Sequence, residues 1–168
     1  MTTSKTVQDW ISELKLIPHP EGGYFRETHR SREIIPSNGL PERYSGDRSI
    51  STAILYLLPG GTFSPFHRIK SEECWHFYAG SPLLLYWIDS QGDCQKIRLT
   101  GNGAVPSFQA VIPAGYWFAA EVESGGEYAL TGCTVSPGFD FRDFEFADRD
   151  ELIRIYPRHR SLIERLTR

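Results

Sequence analysis

The chain has 168 residues, 40% hydrophobic and 13% aromatic, with 18 Lys+Arg against 21 Asp+Glu and a formal net charge of −3. That length fits a single domain over residues 1–168 with a real core, and the mild negative charge excludes a global bias toward nucleic acid or anionic membrane. Three cysteines, Cys74, Cys94 and Cys133, odd in number and without C-x-x-C spacing, exclude a disulfide framework.

The opening residues lack the apolar region of a secretory signal, and no apolar run approaches the ~20 residues of a membrane span. The expectation is a cytoplasmic protein with neither a nucleic-acid nor a membrane partner. Val7, Trp10, Ile11 and Leu14 recur at helical spacing, with Ser4 or Thr6 available as cap. The helix should end before Pro18 and Pro20, because a residue preceding proline is pushed out of the α region. His19-Pro-Glu-Gly-Gly-Tyr-Phe-Arg-Glu-Thr-His29 reads as a Gly-Gly turn leading into an extended run. Alternation there sets Tyr24, Arg26 and Thr28 on one face and Phe25, Glu27 and His29 on the other. Residues 31–47, with Pro36, Asn38, Gly39, Pro41 and Gly46, form a long loop.

From Ser49 the period is that of β-structure. Strands are expected over 49–58, 74–78, 83–89, 94–99, 108–112, 116–121 and 128–135, punctuated by Gly, Pro, Asn and Ser turns. Many short strands at this spacing argue for a sandwich or barrel. The chain then returns to helix: Asp148 with Glu151 makes a capping box ahead of Leu152, Ile153 and Ile155. Pro157 interrupts, and 158–166 form a second short helix.

One segment concentrates the chemistry. In Gly61-Thr-Phe-Ser-Pro-Phe-His67-Arg-Ile69-Lys-Ser-Glu-Glu73-Cys-Trp-His-Phe-Tyr-Ala-Gly80, the positions of Gly61, His67, Glu73 and Gly80 have the spacing of the first cupin motif. Further blocks stand in order at residues 20–27, 111–120 and 130–139. Together these resemble the cupin superfamily and, more narrowly, the cupin-5 family, formerly a domain of unknown function. The resemblance implies an all-β, cupin-type double-stranded β-helix (a jelly-roll barrel) with short flanking α-helices at both termini. It also implies a homodimer and a pocket for a small-molecule ligand.

Two departures from the motif bear on chemistry. Ile69 replaces the second motif histidine. In the second motif Pro113 and Gly115 fit, but Ser107, Phe118 and Val122 stand where glycine, histidine and asparagine are expected. Of the usual metal ligands only His67 and Glu73 survive, and a first-row metal normally needs about three convergent protein ligands. His76 on a regular strand points away from Glu73 and Trp75. No cofactor is therefore expected, beyond a divalent metal held weakly at His67 and Glu73.

A histidine near a carboxylate in an apolar barrel can instead act as a general base. The expected catalytic pair is His67 and Glu73, walled by Trp75, Phe77, Tyr116 and Phe118, with Arg26 or Glu27 entering a pocket from the N-terminal strand. The function read from this is metal-independent acid–base chemistry of the epimerase or isomerase kind on a small polar, sugar-like or cyclic compound. Ligand binding without turnover, and a metal-dependent oxygenase or isomerase, remain open alternatives. Cys133 has no basic neighbour in sequence and reads as a buried inert thiol.

Overall fold

Alternating side chains build two antiparallel sheets whose apolar faces meet. The computed structural model describes residues 5–168. A six-stranded sheet has the order β1 (Ile17–Pro18), β2 (Tyr24–Arg30), β5 (Thr52–Pro59), β12 (Tyr128–Ser136), β7 (Glu72–Gly80) and β10 (Gln109–Ile112). A five-stranded sheet runs β13 (Glu145–Phe146), β6 (Phe63–Arg68), β11 (Trp117–Val122), β8 (Leu83–Ile88) and β9 (Cys94–Leu99). β3 (Ile34–Ile35), inside the expected long loop, pairs by itself with β4 (Arg48–Ser49), which follows that loop directly. The result is the jelly-roll barrel expected, with few and short helices. No helix among the described residues is long and apolar enough to cross a membrane.

The interior is shared by both sheets. Tyr56 and Leu58 of β5 and Trp75 and Phe77 of β7 meet Leu83 and Leu85 of β8 and Phe118 and Ala120 of β11. Each large apolar side chain removed from water here contributes about 1.5–3 kcal/mol before conformational entropy is counted. The outer faces are covered from the ends of the chain. Helix α1 (Val7–Leu14) begins at Thr6, whose hydroxyl accepts the Asp9 N–H while the Asp9 carboxylate accepts the Thr6 N–H, a complete capping box. Ser4 lies outside the described residues. The apolar stripe of α1 packs on Leu57, Tyr128 and Leu130 of the six-stranded sheet. Helices α2 (Arg149–Ile155) and α3 (Arg160–Arg165) set Leu152, Ile153 and Ile163 against Phe66, Leu84 and Tyr86 of the other. The Asp148 carboxylate caps α2 by accepting the Glu151 N–H at 2.9 Å.

Two local differences from the sequence expectation have physical causes. The run expected from Ser49 is broken at Ile50–Ser51, where the chain leaves its pairing with β3 for the six-stranded sheet, and Arg48 just before the break is buried. Its guanidinium makes a two-point ion pair with Asp143 (2.7 and 2.6 Å) and donates to the carbonyls of Ser45, Gly46 and Asp47. β6, which carries His67, shows no apolar alternation because Ser64 and Pro65 interrupt it. The register of β11 against β6 shifts between Phe118 and Ala120, opposite that proline, which has no N–H to offer the ladder. Beyond β12 the chain crosses as a strap, residues 137–144, and returns to β6 through β13. The Arg48–Asp143 pair holds the end of this strap.

Candidate functional site

His67 projects from β6 into the barrel and is almost wholly buried. Its Nδ1 lies 2.7 Å from the Pro65 carbonyl oxygen. A carbonyl can only accept, so Nδ1 carries the proton and, in the neutral ring, Nε2 carries the lone pair. The ring sits between Phe118 (centroids 4.1 Å apart) and Phe144 (5.1 Å, interplanar angle 26°). Nε2 meets Glu21 Oε2 at 3.1 Å.

Glu21 comes from the turn joining β1 to β2. Gly22 and Gly23 there have φ of +105° and +67°, and a Cβ on Gly23 would lie 2.5 Å from the Leu57 carbonyl oxygen. Two glycines are what allow the chain to reverse against β5 and drive the glutamate inward. Tyr56 fixes the turn by donating its hydroxyl to the Gly22 carbonyl at 2.9 Å. His19 Nδ1 accepts the Glu21 N–H at 3.2 Å and lies 3.6 Å from Glu21 Oε1.

Burial dominates the electrostatics. It pushes the Glu21 carboxyl up to about 8, opposed by the charge of Arg168 and by the Ser64 hydroxyl, which is close without forming a well-aligned hydrogen bond. Burial also pushes Glu73 up to about 7, helped by the charge of Glu21. It holds His67 below the ordinary imidazole value, with the Pro65 carbonyl and the Glu73 charge working the other way. His19 falls to about 4 through burial and its neighbour His67. Near neutral pH the Glu21–His67 contact is thus a neutral pair, with a protonated carboxyl donating to the Nε2 lone pair. The Cys133 thiol, buried beside Glu73, is pushed well above its usual range and stays protonated.

These groups open on a cavity of about 310 Å³. The apolar walls include Phe25, Ile54, Ile69 and Val135, and the strap adds Phe139, Phe141 and Phe144. Glu73 faces the cavity without a hydrogen bond or ion pair in good geometry among the described residues, although the Trp75 indole and Cys133 thiol lie close by. Arg30 is committed to the Glu27 carboxylate (3.0 and 2.7 Å) and the Phe139 carbonyl (3.0 Å). Asp140 is paired with Arg142, which holds its carboxyl down at about 2.

His67, Glu73 and Glu27 all line this cavity. Trp75, Phe77 and Phe118 point inward but lie in the packed interior, with Tyr116 half-buried against it, so they back the site rather than wall it. Arg26 falls on the opposite face of β2 from Glu27. His76 points outward, held by Thr134 and Gln109. The carboxyl within bonding distance of His67 is Glu21; Glu73 acts on the imidazole only through space. Sequence reasoning does not single out Glu21, His19 or the strap phenylalanines. The signal for the first two was the Pro-Glu-Gly-Gly turn, whose paired glycines ask for a reason.

The metal expected of the wider family does not fit these residues. Ile69 lines the cavity and Phe118 packs on His67, and neither has a donor atom. No three His, Cys, Asp or Glu side chains among the described residues converge as a metal site. His67 has one nitrogen committed to a carbonyl and the other to Glu21.

The family model described as "Cupin superfamily (DUF985)" matches residues 8–147. An uncharacterized protein of Saccharomyces cerevisiae, YML079W, is 33% identical over 159 residues, covering 88% of this chain and 78% of its own. The crystal structure of protein SO0799 from Shewanella oneidensis superposes with a TM-score of 0.86 at 32% identity, over 98% of this chain and 99% of that one. A hypothetical protein from Leishmania major gives 0.83 at 32% identity, over 97% and 99%.

Proposed function

The chain belongs to the cupin superfamily, in the family designated DUF985, and from that and the geometry of the cavity we propose that it is a metal-independent acid–base enzyme for a small polar, cyclic or sugar-like compound. The observation that carries this reading is the contact of His67 Nε2 with Glu21 Oε2 at 3.1 Å, on a cavity that Glu73 also lines. Two titratable centres with different environments are what a proton transfer needs on its two sides.

Glu73, poised near neutrality and without a well-aligned hydrogen bond among the described residues, takes the proton from a C–H bond next to a carbonyl. The C–H electron pair becomes the new C=C bond, and the carbonyl oxygen takes the proton that Glu21 shares with His67. Reversal of these transfers at the same or the neighbouring carbon gives epimerisation or isomerisation, with no change of oxidation state overall. The Pro65 carbonyl fixes the imidazole tautomer throughout. The low-polarity walls keep the carboxyls near their perturbed values.

The test is solvent-deuterium incorporation. A panel of small cyclic and sugar-like carbonyl compounds is incubated with protein in D2O and followed by NMR. Wild type should exchange at least one compound, and His67→Ala should lose that exchange while keeping its fold by circular dichroism. Exchange unaffected by His67→Ala sinks the reading. The engagement of Nε2 by Glu21 favours one second reading, a ligand-binding cupin without turnover; ligand-induced thermal stabilisation without exchange would support that instead.

A further inference from the structure

The charges on the cavity wall do not balance around an open ligand position. Arg30 is the only Lys or Arg among the described lining residues. Its Nε and Nη2 are spent on Glu27 and its Nη1 on the Phe139 carbonyl. Asp140 is answered by Arg142 from outside. Glu73 is left over. It is about nine-tenths buried, lines the cavity, and meets no cation and no well-aligned donor among the described residues. A buried carboxyl group without a partner is costly, and either a proton or a ligand must answer it.

The rest of the wall narrows what the ligand is. The strap places Phe139, Phe141 and Phe144 in mutual edge-to-face contact, with centroids 5.0, 6.2 and 6.3 Å apart. All three line the cavity. Aromatic faces are electronegative and attract a cation, while the carbon frame that carries it gains from the same apolar surface. An anionic ligand would meet the Glu73 carboxyl, with no guanidinium or ammonium of a described lining residue free of another partner to receive it.

We propose that the cavity selects small organic cations, an ammonium or amidinium group set against Glu73 with its hydrocarbon frame against Phe139, Phe141 and Phe144. This rests on the cavity described above as the working site and narrows its substrate class to nitrogen-bearing compounds. It stands independently of whether a proton is then moved.

The cation takes the place of the proton that Glu73 otherwise holds, so binding near neutral pH releases protons. Other titratable groups face the same space: the carboxyls of Glu21, Glu27 and Asp140, the imidazoles of His19 and His67, and the Cys133 thiol. Asp140 is already ionised, and Cys133 stays protonated. Glu21 can add to the release from Glu73, and comparison with Glu73→Gln separates the two.

The experiment is isothermal titration calorimetry at pH 7 in two buffers of different ionisation enthalpy. Its probes are benzylammonium, benzyl alcohol and benzoate, one frame with charges of plus one, zero and minus one. Benzylammonium should bind about ten-fold more tightly than benzyl alcohol, with net proton release, and benzoate should not bind. Glu73→Gln should abolish that preference. Phe141→Leu, at a largely exposed position, should weaken benzylammonium and benzyl alcohol alike, about two- to five-fold, because the two share the frame that packs there. Equal or tighter binding of benzyl alcohol or benzoate overturns the proposal, and so does the absence of binding by all three at millimolar concentration. Benzylammonium binding in a protein that exchanges no deuterium sinks the catalytic reading alone; deuterium exchange in a protein that prefers benzoate sinks this one alone.

Discussion

Replacing Glu21 by glutamine tests the protonation state of the site through stability. The wild-type carboxyl is held up at about 8, against 4.5 for the free side chain, chiefly by burial. Between those values the native protein keeps a proton that the unfolded chain has released, so stability falls as pH rises through the window and levels off above it. At ~1.4 kcal/mol per pH unit, the loss between pH 5 and pH 8 is on the order of 4 kcal/mol. For a chain of this size that is roughly 8–16 °C in Tm. Glu21→Gln keeps the shape, offers an amide N–H to His67 Nε2, and has nothing to ionise. Thermal denaturation followed by circular dichroism from pH 5 to 8.5 should show the variant close to wild type at pH 5 and progressively more stable above it.

The difference curve matters more than either curve alone. Glu73, raised to about 7, adds a slope of the same sign, while His19, lowered to about 4, adds stability as pH rises through that lower range. Both remain in the variant and largely cancel. Removing the Glu21 charge also lets Glu73 ionise more readily, which flattens the variant further. Parallel curves would mean that Glu21 is not a buried neutral acid. A variant much less stable than wild type at pH 5, and approaching it as pH rises and the imidazole loses its proton, would mean that Glu21 and His67 form an ion pair, and the donor role given to Glu21 would fall with it.

Two further outcomes follow from the frame of the site. Arg48→Met should leave Asp143 buried without its two-point partner and cost about 3–5 kcal/mol in urea denaturation; a loss below about 1 kcal/mol would show that the strap is anchored elsewhere. Ile69→His returns a donor to the cavity wall beside His67 and Glu73, and should bind Zn²⁺ in calorimetry at least about ten-fold more tightly than wild type. No gain would mean that Glu21 and the Pro65 carbonyl hold His67 in an orientation that a metal cannot use.

Much of the barrel was legible because its strands obey a period of two. Trp75 and Phe77 alternate with His76 and Tyr78, and inward and outward faces follow directly. β6 was harder to read: Ser64 and Pro65 break the pattern, and its strand character comes from neighbours on both sides rather than from its own side chains. For the site, the motif located His67 and Glu73 and exposed the loss of ligands at Ile69 and Phe118. It did not locate Glu21, which lies 46 positions from His67 and reaches it only because β2 docks on β5 and the Gly22–Gly23 turn folds back. Spacing within a motif reports side chains on neighbouring strands, and a partner delivered by long-range docking leaves no spacing to read.

The loss of two metal ligands did not leave a plain hydrophobic core at the base of this barrel. Ile69 and Phe118 fill space and exclude water, and that dryness is what raises Glu21 and Glu73 so far. The polar partner of His67 is supplied instead by a turn that other segments hold in place. Tyr56 grips Gly22, and Arg168 donates to the Pro20 carbonyl at 2.9 Å while its charge bears on Glu21. Proton affinity at the site is therefore coupled to how firmly residues 19–23 are docked. Loosening that turn would admit water, return both carboxyls toward ordinary values, and remove the acid–base pair without touching His67.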